Sequence, residues 1–205
     1  MALARVKSIM ELILMRHTSV AVDASLVYGR TDVDVAASFP AEAEAARARL
    51  SVIWPEGPTI IISSPAQRCQ RLAQHLGTVD RVDERLWEMG FGAWELQRWD
   101  ELPRAELDAW SRDFVLVHPP GGESYGELAL RVHHALREAV ESARQSAHGD
   151  ERVLVVAHGG VIRAALAHYL EIPLRRSFDV QIDYASITLV RWRASTPHVK
   201  LINHR

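Results

Sequence analysis

LILMRHTSV, Leu12–Val20, decides how this chain is read. Leu12–Met15 is apolar without alternation, which describes a strand covered on both faces, as in parallel sheets flanked by helices. The run stops at Arg16-His17, a fixed cation beside an imidazole, and continues into the small residues Thr18 and Ser19. A core strand that delivers two such side chains at its carboxyl end places them where open α/β sheets bind ligands.

Similar runs recur along the chain. Strand patterns cover Glu11–Met15, Thr59–Ser63, Arg152–Ala157 and Ser186–Trp192, with weaker ones at His198–Ile202 and Val79–Val82. Helical patterns at Pro40–Val52, Pro65–Leu76, Glu123–Ala147 and Gly160–Leu170 fall between them. Ser64 reads as the cap of the second helix, with Pro65 in its first turn. This alternation predicts an α/β three-layer sandwich with a mostly parallel central sheet. Residues 10–205 read as one domain, and residues 1–9 as a disordered N-terminal extension. Trp87–Pro120 carries four of the six tryptophans and reads as an excursion over the sheet.

Composition narrows the function. The net charge is −2 and 48% of the 205 residues are hydrophobic, so no global field draws the chain to nucleic acid or to an anionic membrane. No window approaches the ~18 apolar residues of a membrane span. The single cysteine, Cys69, excludes an internal disulfide and reads as a packed thiol. A cytoplasmic protein is expected. Lys7 and Lys200 are the only lysines, so arginine carries nearly all the positive charge.

Three strand ends carry related residues. The first gives Arg16-His17. The second, SSPAQRC (Ser63–Cys69), gives two serines with Arg68 one turn into a helix. The third, VLVVAHGG (Val153–Gly160), gives His158 before Gly159-Gly160. If these strands are neighbours, two histidines and two arginines converge near helix N-termini, which suits a phosphoryl group. A neutral imidazole on a rigid strand can be a nucleophile toward phosphorus. His158 would stabilise charge on the transferring oxygens. LWEMGFGAWE (Leu86–Glu95) offers Glu88 and Glu95 as proton donors, and a carboxyl beside Trp87 suits that role.

In order and spacing these four motifs resemble those of the histidine phosphatase superfamily, also called phosphoglycerate mutase-like, from Met10 to Trp192. The resemblance implies that His17 is the phosphorylated nucleophile. It places Arg16, Arg68, His158 and Gly159 in the phosphate pocket, makes Glu88 the proton donor, and implies no metal and no cofactor. Within the family, RHTSV, VYGRTDVDVAASFPAEA, FGAWELQRWDEL and PPGGESYGEL are most similar to the α-ribazole phosphatase branch. That branch implies α-ribazole 5′-phosphate as substrate and a place in cobalamin biosynthesis. Two departures stand out: Leu96 replaces a usual glycine, and Gln70-Arg71-Leu72 replaces a usual Gln-Thr ending. The short link from Glu88 to Gly121-Gly122-Glu123-Ser124 argues against the phosphoglycerate mutase alternative, and a broad-specificity phosphatase is the other.

Tyr28, Gly29 and Arg30 read either as an ordinary turn or as contacts to the rest of the substrate. Trp94, Trp99 and Trp110 read as core in preference to a wall for an aromatic group. His133-His134 point about 100° apart on a helix and do not suit one metal ion. GVIRAAL (Gly160–Leu166) reads as an ordinary helix. The expected partner is a small phosphomonoester. A homodimer is the one protein partner considered, with Ser186–Trp192 as an edge strand that would pair or be covered.

Overall fold

A computed structural model of the chain describes residues 10–145 and 151–205. The unalternating runs form the centre of the sheet. β1 (Met10–Arg16) and β4 (Glu151–Ala157) are almost wholly buried. They pair in parallel, with Leu12 opposite Val153 and Arg16 opposite Ala157. That register makes Arg16-His17 and His158 leave the sheet side by side. β2 (Ile60–Ser63) pairs in parallel with β4, and β3 (Arg81–Val82) with β2. On the far side of β1, β5 (Ile187–Arg193) runs antiparallel and turns back into β6 (Thr196–His204). The order is β3-β2-β4-β1-β5-β6, a mixed sheet that is mostly parallel. The expectation of an edge at Ser186–Trp192 is corrected: β5 is interior and β6 is the edge. Ile187–Val190 is buried, whereas β6 is partly exposed along its whole length.

Successive side chains of β1 point to opposite faces, and each face has its own core. Leu12 and Leu14 pack with Val153, Val155 and the helices α4 (Tyr125–Gln145) and α5 (Gly159–Tyr169). Ile13 and Met15 pack with Leu154, Val156 and the helices α1 (Phe39–Ile53) and α2 (Gln67–Leu76). In α4 the buried residues Leu128, Val132, Ala135, Leu136 and Ala139 recur at helical spacing. α4 starts later than Glu123 because Ser124 and Glu127 form a reciprocal capping box: the Ser124 N–H donates to Glu127 Oε2 at 2.9 Å and the Glu127 N–H to Ser124 Oγ at 3.2 Å. The expected helix end at Ala147 and the expected extension at residues 1–9 lie outside the described residues.

Ser64 is not the cap of α2. The helix begins at Gln67 without a side-chain cap, and the Ser64 hydroxyl lies 2.8 Å from His158 Nε2. Trp87–Pro120 forms short 3-10 turns and the helix α3 (Arg104–Arg112). It is joined to the loop after β1 by main-chain bonds, Val27 N–H to Gln97 O at 2.9 Å and Trp99 N–H to Ser25 O at 2.9 Å. Just before these bonds Leu96 has φ +64°, the left-handed conformation that glycine adopts readily.

Candidate active site

The three strand ends do converge, and each side chain is held by neighbours the fold supplies. His17 is 2% exposed. Its Nδ1 lies 2.7 Å from the carbonyl oxygen of Thr18. That oxygen can only accept, so Nδ1 carries the hydrogen and Nε2 keeps its lone pair. No protein group bonds Nε2 among the described residues. Burial holds the His17 pKa well below 6.5, and the Arg68 and Arg16 guanidiniums add to the effect.

Arg16 donates from Nη1 to Ile182 O at 2.6 Å and lies with Cζ 3.9 Å from the Tyr184 ring centroid. Arg68 is completely buried, and its terminal nitrogens donate to Thr31 O at 3.0 Å and Gly29 O at 2.9 Å. The Nε–H groups of Arg16 and Arg68 are buried without a partner, as is the Thr18 hydroxyl. Buried donors without acceptors are costly, and both guanidiniums lie close enough to His17 for their charge to act on its ring. An anion bound there would satisfy them.

His158 stands 5.3 Å from His17 in an edge-to-face arrangement. Its Nδ1 faces Arg68 Nη2 at 3.4 Å and its Nε2 faces Ser64 Oγ at 2.8 Å. Arg68 only donates, so Nδ1 accepts and Nε2–H donates to Ser64. Burial keeps this ring neutral as well, with Arg68 and His17 contributing. Cys69 packs beneath it, Sγ 3.6 Å from Nε2. Burial pushes the thiol pKa up to about 12, so it stays protonated. Gly159 opens α5, and a Cβ there would stand 3.1 Å from Arg163 and 3.6 Å from Arg16.

The two candidate carboxylates separate cleanly. Glu88 lines the cavity with His17 and His158, and its oxygens accept from the Met89 N–H and the Gly160 N–H at 3.0 Å each. Glu95 does not line it. Its carboxylate accepts from the main-chain N–H groups of Arg30, Thr31 and Phe91 and from the Thr31 hydroxyl, fastening two loops together. Glu88 is held from behind by Arg131, a residue the sequence did not single out. Arg131 donates to the carbonyls of Arg85 at 2.7 Å, Trp87 at 2.6 Å and Glu88 at 3.1 Å, and forms a two-point pair with Glu123.

The cavity measures about 240 Å³. Tyr28 and Gly29 line it, while the Arg30 guanidinium turns to Glu123 at 3.2 Å. The Tyr28 hydroxyl meets that of Tyr184 at 3.1 Å. Beyond the charged end the wall is apolar and aromatic: Leu26, Met89, Phe91, Trp99, Trp110 and Phe178. Trp94 is core, as expected, and Trp99 and Trp110 pack against the same cluster while also lining the cavity. The excursion folds its aromatic face over the strand ends, and that face becomes the wall. Among the described residues no group of three or more His, Cys, Asp or Glu side chains could hold a metal ion.

Residues 12–205 match the family model described as histidine phosphatase superfamily, branch 1. The chain belongs to that superfamily. It is 32% identical over 175 residues to glucosyl-3-phosphoglycerate phosphatase of Mycobacterium tuberculosis, an alignment covering 80% of this chain and 76% of the relative. The structure of mycobacterial glucosyl-3-phosphoglycerate phosphatase superposes with a TM-score of 0.81 at 27% identity, covering 96% of this chain and 100% of that one. The α-ribazole phosphatase of Shigella flexneri superposes with a TM-score of 0.82 at 21% identity, covering 95% and 96%; that likeness is one of fold. The superfamily and its phosphatase relatives make this chain an enzyme of the phosphatase class.

Proposed function

We propose that the chain hydrolyses a small phosphomonoester through a phosphohistidine at His17, without a metal. The observation that carries this reading is the neutral His17 ring. Its Nδ1–H is tied to Thr18 O, its Nε2 has no partner among the described residues, and it feels two arginines whose buried Nε–H groups lack acceptors there. The Nε2 lone pair attacks phosphorus as the ester P–O bond breaks. Glu88, in its acid form, gives its proton to the departing oxygen. Water then attacks the phosphohistidine, Glu88 takes the water proton, and the P–N bond breaks to release phosphate. Arg16 and Arg68 hold the equatorial oxygens. A bound dianion opposes the cationic field that keeps His158 neutral, so His158 can take a proton from solvent on Nδ1, which frees the Arg68 Nη2–H for the anion, and join them as a donor.

Two substrates are in view. The aromatic wall supports a base-bearing alcohol, which keeps α-ribazole 5′-phosphate as one reading. The unpaired cation Arg163 in the same cavity favours an anionic alcohol, as in the phosphoglycerate ester named for the mycobacterial relative. A cytoplasmic setting belongs to the proposal.

Brief exposure to labelled substrate and quenching should leave acid-labile, base-stable label on the wild type and none on His17→Ala. Acid-stable label, or label kept by His17→Ala, overturns the mechanism. Turnover of 3-phosphoglycerate with trace 2,3-bisphosphoglycerate to 2-phosphoglycerate, in preference to release of phosphate, would replace hydrolysis with mutase chemistry.

A further inference from the structure

Arg163 is the one cation of the cavity that the phosphate mechanism does not use. It lies one turn into α5 and lines the cavity beside Gly160 and Phe178. Its Nε donates to Val180 O at 2.9 Å, which fixes the plane of the guanidinium. Its two terminal nitrogens have no hydrogen-bond or carboxylate partner among the described residues. Nη1 comes within 3.1 Å of the point where a Gly159 Cβ would stand, and Arg16 Nε within 3.6 Å of that point. Two like charges therefore face each other across a glycine. Burial lowers the Arg163 pKa from its ordinary value and Arg16 lowers it further, while Tyr125 and Glu88 oppose this.

A half-buried cation without a counter-ion, held rigid from one side, is costly unless a ligand completes it. Arg16 and Arg68, with their orphaned Nε–H groups, already match one phosphoryl group. Arg163 stands on the side of that pair nearer the aromatic wall, with Phe178 5.3 Å from its Cζ. We propose that Arg163 binds a second anionic group, a carboxylate, carried by the alcohol part of the substrate. Resting on the phosphomonoesterase reading above, this names the substrate class: phosphate esters of hydroxy acids. The guanidinium fork matches a planar carboxylate at two points. Glycine at 159 is what allows Arg163 of α5 and Arg16 of β1 to approach each other over the first turn of the helix. The apolar wall takes whatever body the hydroxy acid carries, and its Trp110 indole N–H, buried without a partner, is a further donor for it.

The test uses substrate pairs that differ by one carboxylate: O-phosphoserine against O-phosphoethanolamine, and 3-phosphoglycerate against glycerol 3-phosphate. Wild type is expected to favour the carboxylate member of each pair by about tenfold or more in kcat/KM, the scale of one charge-assisted contact. Arg163→Gln should erase that preference through KM of the carboxylate member, leaving glycerol 3-phosphate, whose alcohol part is uncharged, within about twofold. Arg163→Lys should keep part of it, because it keeps the charge but not the fork. Turnover of glycerol 3-phosphate also reports whether the variants fold. An equal loss on both members makes Arg163 a phosphate or structural residue and overturns the proposal. So does a wild type that hydrolyses both members equally well. A wild type that hydrolyses no phosphomonoester at all overturns the phosphatase reading and this inference with it.

Discussion

Arg131→Met tests whether the acid is positioned from behind. Arg131 and Glu123 are 16% and 15% exposed, and their pair is two-pronged. Losing the guanidinium leaves three main-chain carbonyls short of a donor and strands a largely buried carboxylate. Breaking a buried pair on one side costs 3–5 kcal/mol; with this partial exposure about 3 kcal/mol is expected, or a melting temperature lower by about 6–12 °C for a chain of this size. The carbonyl of Glu88 is one of the three, so the loss also frees the residue proposed as the acid. A displacement near 1 Å costs about 100-fold in rate. We therefore expect kcat on an alkyl phosphate to fall about 10-fold to 100-fold at 20 °C, where the variant is still folded. p-Nitrophenyl phosphate should suffer much less in its first step, because nitrophenolate leaves without a proton. Glu123 sharpens the test. Burial would raise its pKa, but the Arg131 and Gly90 donors win and lower it from 4.5. The clamp's contribution is thus fully present above pH 4.5 and is lost as pH falls through the lower folded pKa. Arg131→Met should remove that acid-side loss from the melting profile. A variant with the expected drop in melting temperature but wild-type kcat on alkyl phosphates would refute the positioning argument.

Glu88→Gln should lower kcat on alkyl phosphates by about 10²–10⁴-fold, and Glu95→Gln should show no leaving-group dependence; the opposite pattern, read from paired alkyl and nitrophenyl substrates, would exchange their roles. Activity is expected to survive exhaustive chelation, and loss restored by a divalent ion in an EDTA titration would contradict the histidine mechanism. Leu96→Gly should stabilise the fold by about 0.5–1 kcal/mol, because a left-handed leucine costs about 1–2 kcal/mol and glycine returns part of that as chain entropy. Leu96 is 55% exposed, so little burial is lost; a lower denaturant midpoint would show that its side chain matters more than its φ. The histidines predict a pH effect on stability: with folded values well below 6.5, stability is full above pH 6.5 and falls as pH drops toward them, because the unfolded chain binds protons the folded one refuses. Sulfate, which offers the missing negative charge, should flatten that slope in a thermal titration, and equal slopes with and without it would count against an anion site between these rings.

The strand ends were legible because buried parallel strands are written as plain apolar runs, and because polar residues just beyond such runs have few other reasons to be there. Arg16, His17, Arg68 and His158 meet as their positions predicted. The supporting residues were not legible, for different reasons. Arg131 lies eight residues from Glu123 in an amphipathic helix, where an arginine normally faces water; only its bonds across to the Glu88 loop distinguish it. Tyr184 lies in an irregular segment with no periodicity to mark its stacking on Arg16. Ser64 resembled a helix cap because serine before proline usually is one, and the structure spends it on His158 instead. Arg163 sits four residues after Gly159, on the same helix face, and that spacing was a usable signal inside what read as an ordinary helix. Trp99 and Trp110 do pack on a core cluster, but their second role as cavity wall was hidden because tryptophan content does not reveal which face of an irregular excursion turns toward a cavity.

The arrangement of charges explains why these neutral rings belong among cations. Burial alone would make either histidine a weak base, and the arginines push both further in that direction. A nucleophile gains from this, since a protonated imidazole has no lone pair to offer phosphorus. A transition-state donor loses, since His158 must carry an extra proton to reach a phosphoryl oxygen while Nε2–H is given to Ser64. On the proposed mechanism the substrate resolves the conflict by bringing two negative charges beside these rings, at the one moment when the second histidine needs to change state. In that mechanism His17 escapes the same protonation because its Nε2 is then aimed at phosphorus. On the proposed mechanism one cationic field serves two identical side chains in opposite roles, and what separates the roles is the partner at Nδ1: a carbonyl for His17 and a guanidinium for His158.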